Sequence, residues 1–265
     1  LLALATAHPT RLDFIREMWL EDASLEALLR SPTEPTPNSL LRGDEHLLPS
    51  LRRAFSAVPR RDASDDALTL LITTTLLQGE SRSVTDDFGT VIRDVDHRAT
   101  FTFQREDFDL DRRPNLPALL AKAARCSASF PGAFEASFCR VRPGSAIGSD
   151  AAPENENEND PNMDGIVDTT MSRYTVDGGL LNNKPLNQAL RAIFDRPPEQ
   201  PARRVLLYIV PDPGVSTYGE ADRPDNPPSL GSVLKSSLLE IPHAQSIATD
   251  LAELRLLDYR EQLAS

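Results

Sequence analysis

The stretch YTVDGGLLNNKPLNQAL, residues 174–190, combines an apolar strand pattern, a glycine turn and the beginning of a helix. Asp177 stands where the strand pattern ends, directly before Gly178 and Gly179. Adjacent glycines allow positive φ angles and a close approach of the backbone to a ligand. In open α/β sheets, ligand sites form where loops leave the carboxyl ends of the strands. Asp177 therefore fits two hypotheses, a simple Asp-Gly turn or a carboxylate placed for chemistry.

The rest of the chain predicts an α/β protein around this stretch. Residues 68–77 (LTLLITTTLL) and 203–212 (RRVLLYIVPD) are apolar runs of strand length, as expected for strands buried on both faces. Two further strands are predicted within residues 91–103, and helices are predicted after Asn115 and from Pro185. The alternation of such strands and helices is typical of a mainly parallel sheet covered on both faces.

The composition is that of an ordinary globular protein. The 265 residues are 40% hydrophobic and 26% charged, which allows one large or two small domains with a sizeable core. The net charge of −12, without a basic cluster, argues against a nucleic-acid partner. Cys126 and Cys139 have no metal-binding spacing and are expected to be free thiols in a reducing compartment. We therefore expect a cytoplasmic protein, at most peripheral to a membrane. No apolar run is long enough to span a bilayer.

Three blocks of sequence together resemble the patatin-like phospholipase family. They are LTLLITTTLLQGE (68–80), AARCSASFPGAFEA (123–136) and VDGGLLNNKPLNQAL (176–190). The likeness includes a helix ending in Ala-Arg, a Ser-x-Ser-x-Pro-x-x-Phe turn, and Asp-Gly-Gly followed by Asn and Pro. The opening of the chain and the segment LLYIVPDPG resemble in particular the larger bacterial members of the family, which have an additional helical region.

This resemblance implies a fold and a domain plan. The expected fold is a three-layer patatin-like (FabD/lysophospholipase-like) α/β domain with a mainly parallel central sheet, over residues 1–214. Residues 215–228 would form a linker, and residues 229–265 would begin a helical extension. The opening LLALATAH lacks an initiator methionine, and the last residues stop within helical periodicity. We therefore expect the chain to be an internal fragment of a longer protein.

The resemblance also implies a function. Members of the family hydrolyse acyl esters of lipids with a Ser–Asp dyad, without a histidine or a cofactor. Asp177 matches the dyad aspartate, whose task is to accept the proton of the serine hydroxyl as that oxygen attacks the ester carbonyl. Gly178 and Gly179 complete the Asp-Gly-Gly motif, and Arg125 and Asn183 are expected to help shape the site. The expected partner is a lipid or acyl-ester substrate, met through transient contact with a membrane surface.

The sequence departs from the family at the nucleophile. The G-x-S-x-G motif and its glycine-rich oxyanion loop are missing, and neither GSAIG (144–148) nor GVSTYG (214–219) has the required spacing. Because residues 1–8 match the helix that leaves this motif, the serine is expected just upstream of Leu1. The fragment alone is then expected to be inactive. Ser127 and Ser129 are expected to satisfy backbone groups rather than to act as nucleophiles.

Other signals are weaker, and two alternative functions stay open. The four histidines have no metal spacing, and His46 and His97 are expected on the solvated surface. The segment DPNMDGIVD (160–168) begins like a calcium loop, but Met171 stands where a bidentate Glu is required, so a solvated acidic loop and no metal are expected. The alternatives to hydrolysis are a non-catalytic lipid-binding or regulatory protein on the same fold and an acyltransferase.

Overall fold

The computed structural model describes residues 13–34, 37–57, 68–85, 87–144, 159–194, 204–207, 209 and 229–237. The chain divides into two compact units, Leu1–Pro185 and Leu186–Ser265. The predicted boundaries at residues 214 and 228 lie outside the described ranges, as do the predicted terminal helices, the first part of the acidic loop, His8 and His243.

The first unit contains a four-stranded sheet. Its strands are β1 (Thr69–Thr85), β2 (Val91–Gln104), β3 (Ser137–Cys139) and β4 (Arg173–Asp177), in the spatial order β2-β1-β4-β3. Each neighbouring pair is antiparallel. The prediction of a mainly parallel sheet is therefore wrong for the described strands, although the α/β class is confirmed.

The β1–β2 connection gives the physical reason for this correction. The two strands are joined by a short turn in which Gly89 has a φ of 82°. Such a turn can reverse the chain, whereas a parallel neighbour needs a crossover of about a dozen residues or more. The expected buried strand is present up to Leu76, but β1 then runs on into solvent with β2. At the tip of this hairpin the Phe88 side chain is 94% exposed.

Helices of the first unit form its hydrophobic core together with the strands. They are α1 (Asp13–Leu20), α2 (Leu25–Leu28), α3 (Leu48–Ser56) and α4 (Leu116–Ser127), with a π-helical turn at Gly43–Leu47 and a 3₁₀ turn at Arg105–Phe108. Helix α4 packs on α3 and on β1, β3 and β4. Its alanines Ala121 and Ala123 are fully buried, and their small side chains let the helix lie close to its neighbours. The helix predicted after Asn115 is thereby confirmed.

Two short helices follow β4 in the chain. Helix α5 (Gly179–Asn182) follows β4 directly and closes the first unit, and α6 (Leu186–Phe194) opens the second. The second unit also contains α7 (Leu230–Lys235). Residues 204–207 and Ile209 have no regular structure, and Val205 and Ile209 are more than 70% exposed. The buried strand predicted over 203–212 is wrong there, because apolar composition does not itself supply the neighbouring strands that burial requires.

Candidate active site

Asp177 is the last residue of β4, and its neighbours hold it from several directions. Its amide N–H donates to the Ser129 carbonyl over 3.0 Å. Its own carbonyl accepts a 2.9 Å hydrogen bond from Thr75 Oγ1 on β1. Its carboxylate Oδ1 accepts a 2.7 Å hydrogen bond from the Gly179 N–H. The backbone and the carboxylate of Asp177 are therefore both fixed by the surrounding structure.

Gly178 is required by a close approach to β1 and not by an unusual φ. Its φ is −63°, which any residue can adopt. A Cβ at this position would collide with the backbone carbonyl and the hydroxyl of Thr73. The turn after β4 can therefore pass β1 only because residue 178 has no side chain.

Substituting Gly178 with alanine should lower the free energy of unfolding by about 1–3 kcal/mol, the usual cost of inserting atoms into packed space. The obstacle is the β1 backbone, which cannot rotate away as a long side chain could. Urea denaturation of the protein measures the change. Gly231→Ala in α7 is the matched control, because a Cβ there meets open space. A Gly178→Ala variant as stable as this control would contradict the expectation.

Asn183 lies beside the Asp177 carboxylate, at the end of α5. A Cβ built on Gly179 would be 3.0 Å from Asp177 Oδ1 and 3.1 Å from Asn183 Oδ1, so both oxygens face the same glycine. The short helix is closed by a 2.9 Å hydrogen bond from Asn182 N–H to the Gly178 carbonyl. The structure thus brings together Asp177, Gly178, Gly179 and Asn183.

Arg125 lies in the core of the first unit and is linked to Asp177 through Ser129. Its side chain is 0% exposed. It donates to Ser129 Oγ over 2.5 Å and to the Glu135 carbonyl over 2.9 Å. It also pairs with Asp44 over 3.0 Å and with the Glu135 carboxylate over 3.2 Å. A buried guanidinium is tolerated only when it is paired and hydrogen-bonded in this way.

Arg125, Asp44 and Glu135 form a cluster of charged side chains, in which the Glu135 carboxylate has the most hydrogen-bond partners. Its carboxylate accepts hydrogen bonds from Ser39 Oγ over 2.6 Å and from the Asp44 N–H over 2.6 Å. Burial acts to raise the pKa of the Glu135 carboxyl, but these hydrogen bonds and the charge of Arg125 outweigh it and lower the pKa from 4.5 to about 2. Glu135 therefore remains ionised at neutral pH.

The supporting residues of the site were mostly missed by the sequence analysis. Thr75 and the partners of Arg125, namely Asp44 and Glu135, were not singled out. The only local signal was a run of threonines within an apolar strand, where buried hydroxyls need hydrogen-bond partners. Ser129 behaves as expected, because its hydroxyl donates to the Arg125 carbonyl over 2.8 Å.

Two expectations about polar residues are corrected. His46 and His97 are only partly exposed, and each ring bonds a backbone carbonyl, that of Asp22 over 3.0 Å and that of Leu76 over 2.8 Å. They therefore belong to the packed structure and not to the solvated surface.

The described part of the acidic loop is also not simply solvated. Met163 and Ile166 are buried in the core, which draws this part of the loop inward. The Asp160 carboxylate is turned toward Arg140 and Lys122. Cys126 and Cys139 are buried and free, as expected. Within the described residues, no group of three or more His, Cys, Asp or Glu side chains is arranged to hold a metal ion.

Comparison with known proteins defines the class. The model of the patatin-like phospholipases matches residues 1–190, and the chain belongs to this family.

A particular relative is found in Mycobacterium tuberculosis, under the name "Uncharacterized membrane protein Rv3479". It is 38% identical over 268 residues, which cover 96% of this chain but only 24% of the relative. The chain thus spans about a quarter of the length of the curated relative that it matches. No solved structure gives a significant match. In the part of the chain that the structure describes, no helix is long and apolar enough to cross a membrane.

Proposed function

We propose that the protein is a lipid acyl hydrolase of the phospholipase or lysophospholipase type, with Asp177 as the base of a Ser–Asp dyad. The observation that carries this proposal is the placement of the Asp177 carboxylate. It stands at the end of β4, it is oriented by the Gly179 N–H at 2.7 Å, and its backbone is held by Thr75 and Ser129. The nucleophilic serine is assigned to sequence that precedes Leu1.

Ester hydrolysis by this dyad requires no cofactor. The Asp177 carboxylate takes the serine hydroxyl proton while the serine oxygen forms a bond to the ester carbonyl carbon. The tetrahedral intermediate collapses, the ester C–O bond breaks, and the alcohol leaves with the proton held by Asp177. Water then attacks the acyl-serine, and Asp177 again accepts and returns one proton. Backbone N–H donors stabilise the oxyanion in each step.

The Gly179 N–H favours the role assigned to Asp177. It donates a 2.7 Å hydrogen bond to Asp177 Oδ1. The same bond selects one rotamer of the side chain. A base held in a productive orientation avoids the entropy cost of finding it at each turnover.

The location of the protein is proposed from its two cysteines and its net charge. Two buried free thiols suit a reducing compartment, so we assign the protein to the cytoplasm, with transient contact at the surface of a membrane. A net charge of −12 disfavours attraction to anionic lipids, and zwitterionic lipids are therefore the expected substrate surface.

The test uses the protein expressed from its complete coding sequence. A fluorophosphonate probe should label one serine in the sequence before Leu1, as found by peptide mass mapping. Vesicles of phosphatidylcholine and micelles of lysophosphatidylcholine should release free fatty acid. Vesicle binding without labelling or release would support the non-catalytic lipid-binding alternative. Transfer of the acyl group to an added alcohol in preference to water would support the acyltransferase.

A further inference from the structure

The turn Ser129–Glu135 connects the buried arginine to the candidate base. It follows α4, and its first residue accepts the Asp177 amide N–H at the Ser129 carbonyl over 3.0 Å. A shift of this carbonyl would move the end of β4, and with it the Asp177 carboxylate. The position of the turn is therefore a condition for the position of Asp177.

Arg125 fixes both ends of this turn. At one end its guanidinium donates to Ser129 Oγ over 2.5 Å, and the same hydroxyl returns a 2.8 Å bond to the Arg125 carbonyl. At the other end the guanidinium donates to the Glu135 carbonyl over 2.9 Å. The ring of Phe134, within the turn, has its centroid 5.3 Å from the guanidinium carbon. One planar side chain thus holds the turn at three places.

Arg125 is in turn held from the opposite side. The Asp44 carboxylate pairs with its Nε over 3.0 Å. A Cβ on the adjacent Gly43 would overlap the guanidinium, so this segment approaches Arg125 as closely as the backbone permits. The guanidinium is therefore confined between the Gly43–Asp44 segment and the turn.

We propose that Arg125 is a positioning residue for Asp177, acting through the Ser129 carbonyl. This inference rests on the proposed function, in which Asp177 is the base. The guanidinium orders the turn, the turn orders the end of β4, and the carboxylate is held in its reactive place. A displacement of about 1 Å in such an arrangement can cost about 100-fold in rate.

The main test is Arg125→Lys in the complete protein. Lysine keeps the positive charge but lacks the planar fork, so it cannot bond Ser129 and Glu135 in the same geometry. We expect kcat for fatty-acid release to fall by about 100-fold, with KM little changed. Arg140→Lys is the control, because Arg140 pairs with Asp160 away from the turn. It is expected to keep the kcat of the wild-type protein.

A second variant tests the route and guards against a folding defect. Ser129→Ala removes the hydroxyl bonded by Arg125 but keeps the carbonyl that accepts from Asp177. Its kcat should fall by about 10-fold, the order expected for one hydrogen bond to a charged group. If Arg125 acts through Ser129, the fold-decrease in kcat of the double variant should be smaller than the product of the fold-decreases in the two single variants. If Arg125 had only a structural role, the losses of kcat in the two single variants would be independent. Each loss would then follow the decrease in the thermal unfolding midpoint of that variant.

The outcomes separate this inference from the proposed function. Wild-type kcat in Arg125→Lys, or in Ser129→Ala where the lysine variant does not fold, overturns the positioning role. Equal losses of kcat in Arg125→Lys and Arg140→Lys also overturn it, since they indicate general loosening. Asp177→Asn is assayed alongside. If that variant retains full activity, Asp177 is not the base and the proposed function fails first.

Discussion

Replacing Asp177 with asparagine should lower the kcat for lipid ester hydrolysis by about 10²–10⁴-fold, the contribution of a well-placed general base. Asparagine has nearly the same shape, and its side-chain oxygen can still accept the Gly179 N–H that bonds Asp177 Oδ1 at 2.7 Å. It cannot accept the proton of a serine hydroxyl. The substitution therefore removes the chemistry and keeps the geometry.

The fold of this variant should be nearly unchanged. The amide N–H and carbonyl of residue 177 still bond Ser129 and Thr75, because both interactions use the backbone of that residue. Initial rates of fatty-acid release and a thermal unfolding curve measure the two properties separately. Asp94→Asn is a matched control on the exposed part of β2 and should alter neither. Hydrolysis by Asp177→Asn within about threefold of the wild-type rate, far outside the expected range, would exclude the general-base role.

Replacing Glu135 with glutamine should lower the free energy of unfolding by about 3–5 kcal/mol, the usual cost of breaking a buried ion pair from one side. The Glu135 side chain is 15% exposed and faces the buried Arg125. Glutamine removes the negative charge and points an N–H₂ group at positions where Ser39 and Asp44 now donate. The variant therefore loses the ion pair with Arg125. It also places a hydrogen-bond donor of glutamine against a donor of Ser39 or Asp44.

The pH dependence of stability gives this prediction a second signature. The pKa of Glu135 is about 2 in the folded protein against an ordinary 4.5, so its ionised form stabilises the fold at pH values above 4.5. As the pH falls from 4.5 toward 2, the contribution of Glu135 is lost. Chemical denaturation between pH 6 and about 2.5 should therefore show a shallower decline in Glu135→Gln than in the wild-type protein.

Glu45 provides the matched control. It also pairs with an arginine, Arg30, over 3.1 Å, but its side chain is 63% exposed. Exposed ion pairs contribute about 0–1 kcal/mol, so Glu45→Gln should be nearly neutral. If both glutamine variants lost the same small free energy of unfolding, the ion pair between Glu135 and Arg125 would contribute no more than an exposed pair does.

The position of Asp177 at the end of a strand could be predicted from sequence because its signal is local. The strand pattern, Asp177 and the two glycines occur within a few residues, and the structure places them at the end of β4. The direction of the sheet could not be predicted in the same way. An apolar run such as residues 68–77 reports burial on both faces, and burial does not say whether the next strand returns by a turn or a crossover.

The cluster around Arg125 could not be predicted because its members are distant in sequence. Asp44 and Glu135, which bond each other through backbone and side chain, are 91 residues apart. A charged residue within an alanine-rich helix looks locally like an exposed position. Only the packing of α4 against the Gly43–Asp44 segment shows that Arg125 is enclosed.

The contact between Gly43 and Arg125 has a consequence for how this family can vary during evolution. A side chain at residue 43 and an arginine at residue 125 claim the same volume, because a Cβ on Gly43 would overlap the guanidinium. The guanidinium is held by Ser129, Asp44 and Glu135, so it cannot move aside for a side chain at residue 43 without losing these interactions. In lineages where residue 43 gains a side chain, residue 125 must become smaller, and Glu135 must lose its charge or find another cation. These positions should be inherited as a linked set, and an alignment of relatives would reveal them as covarying.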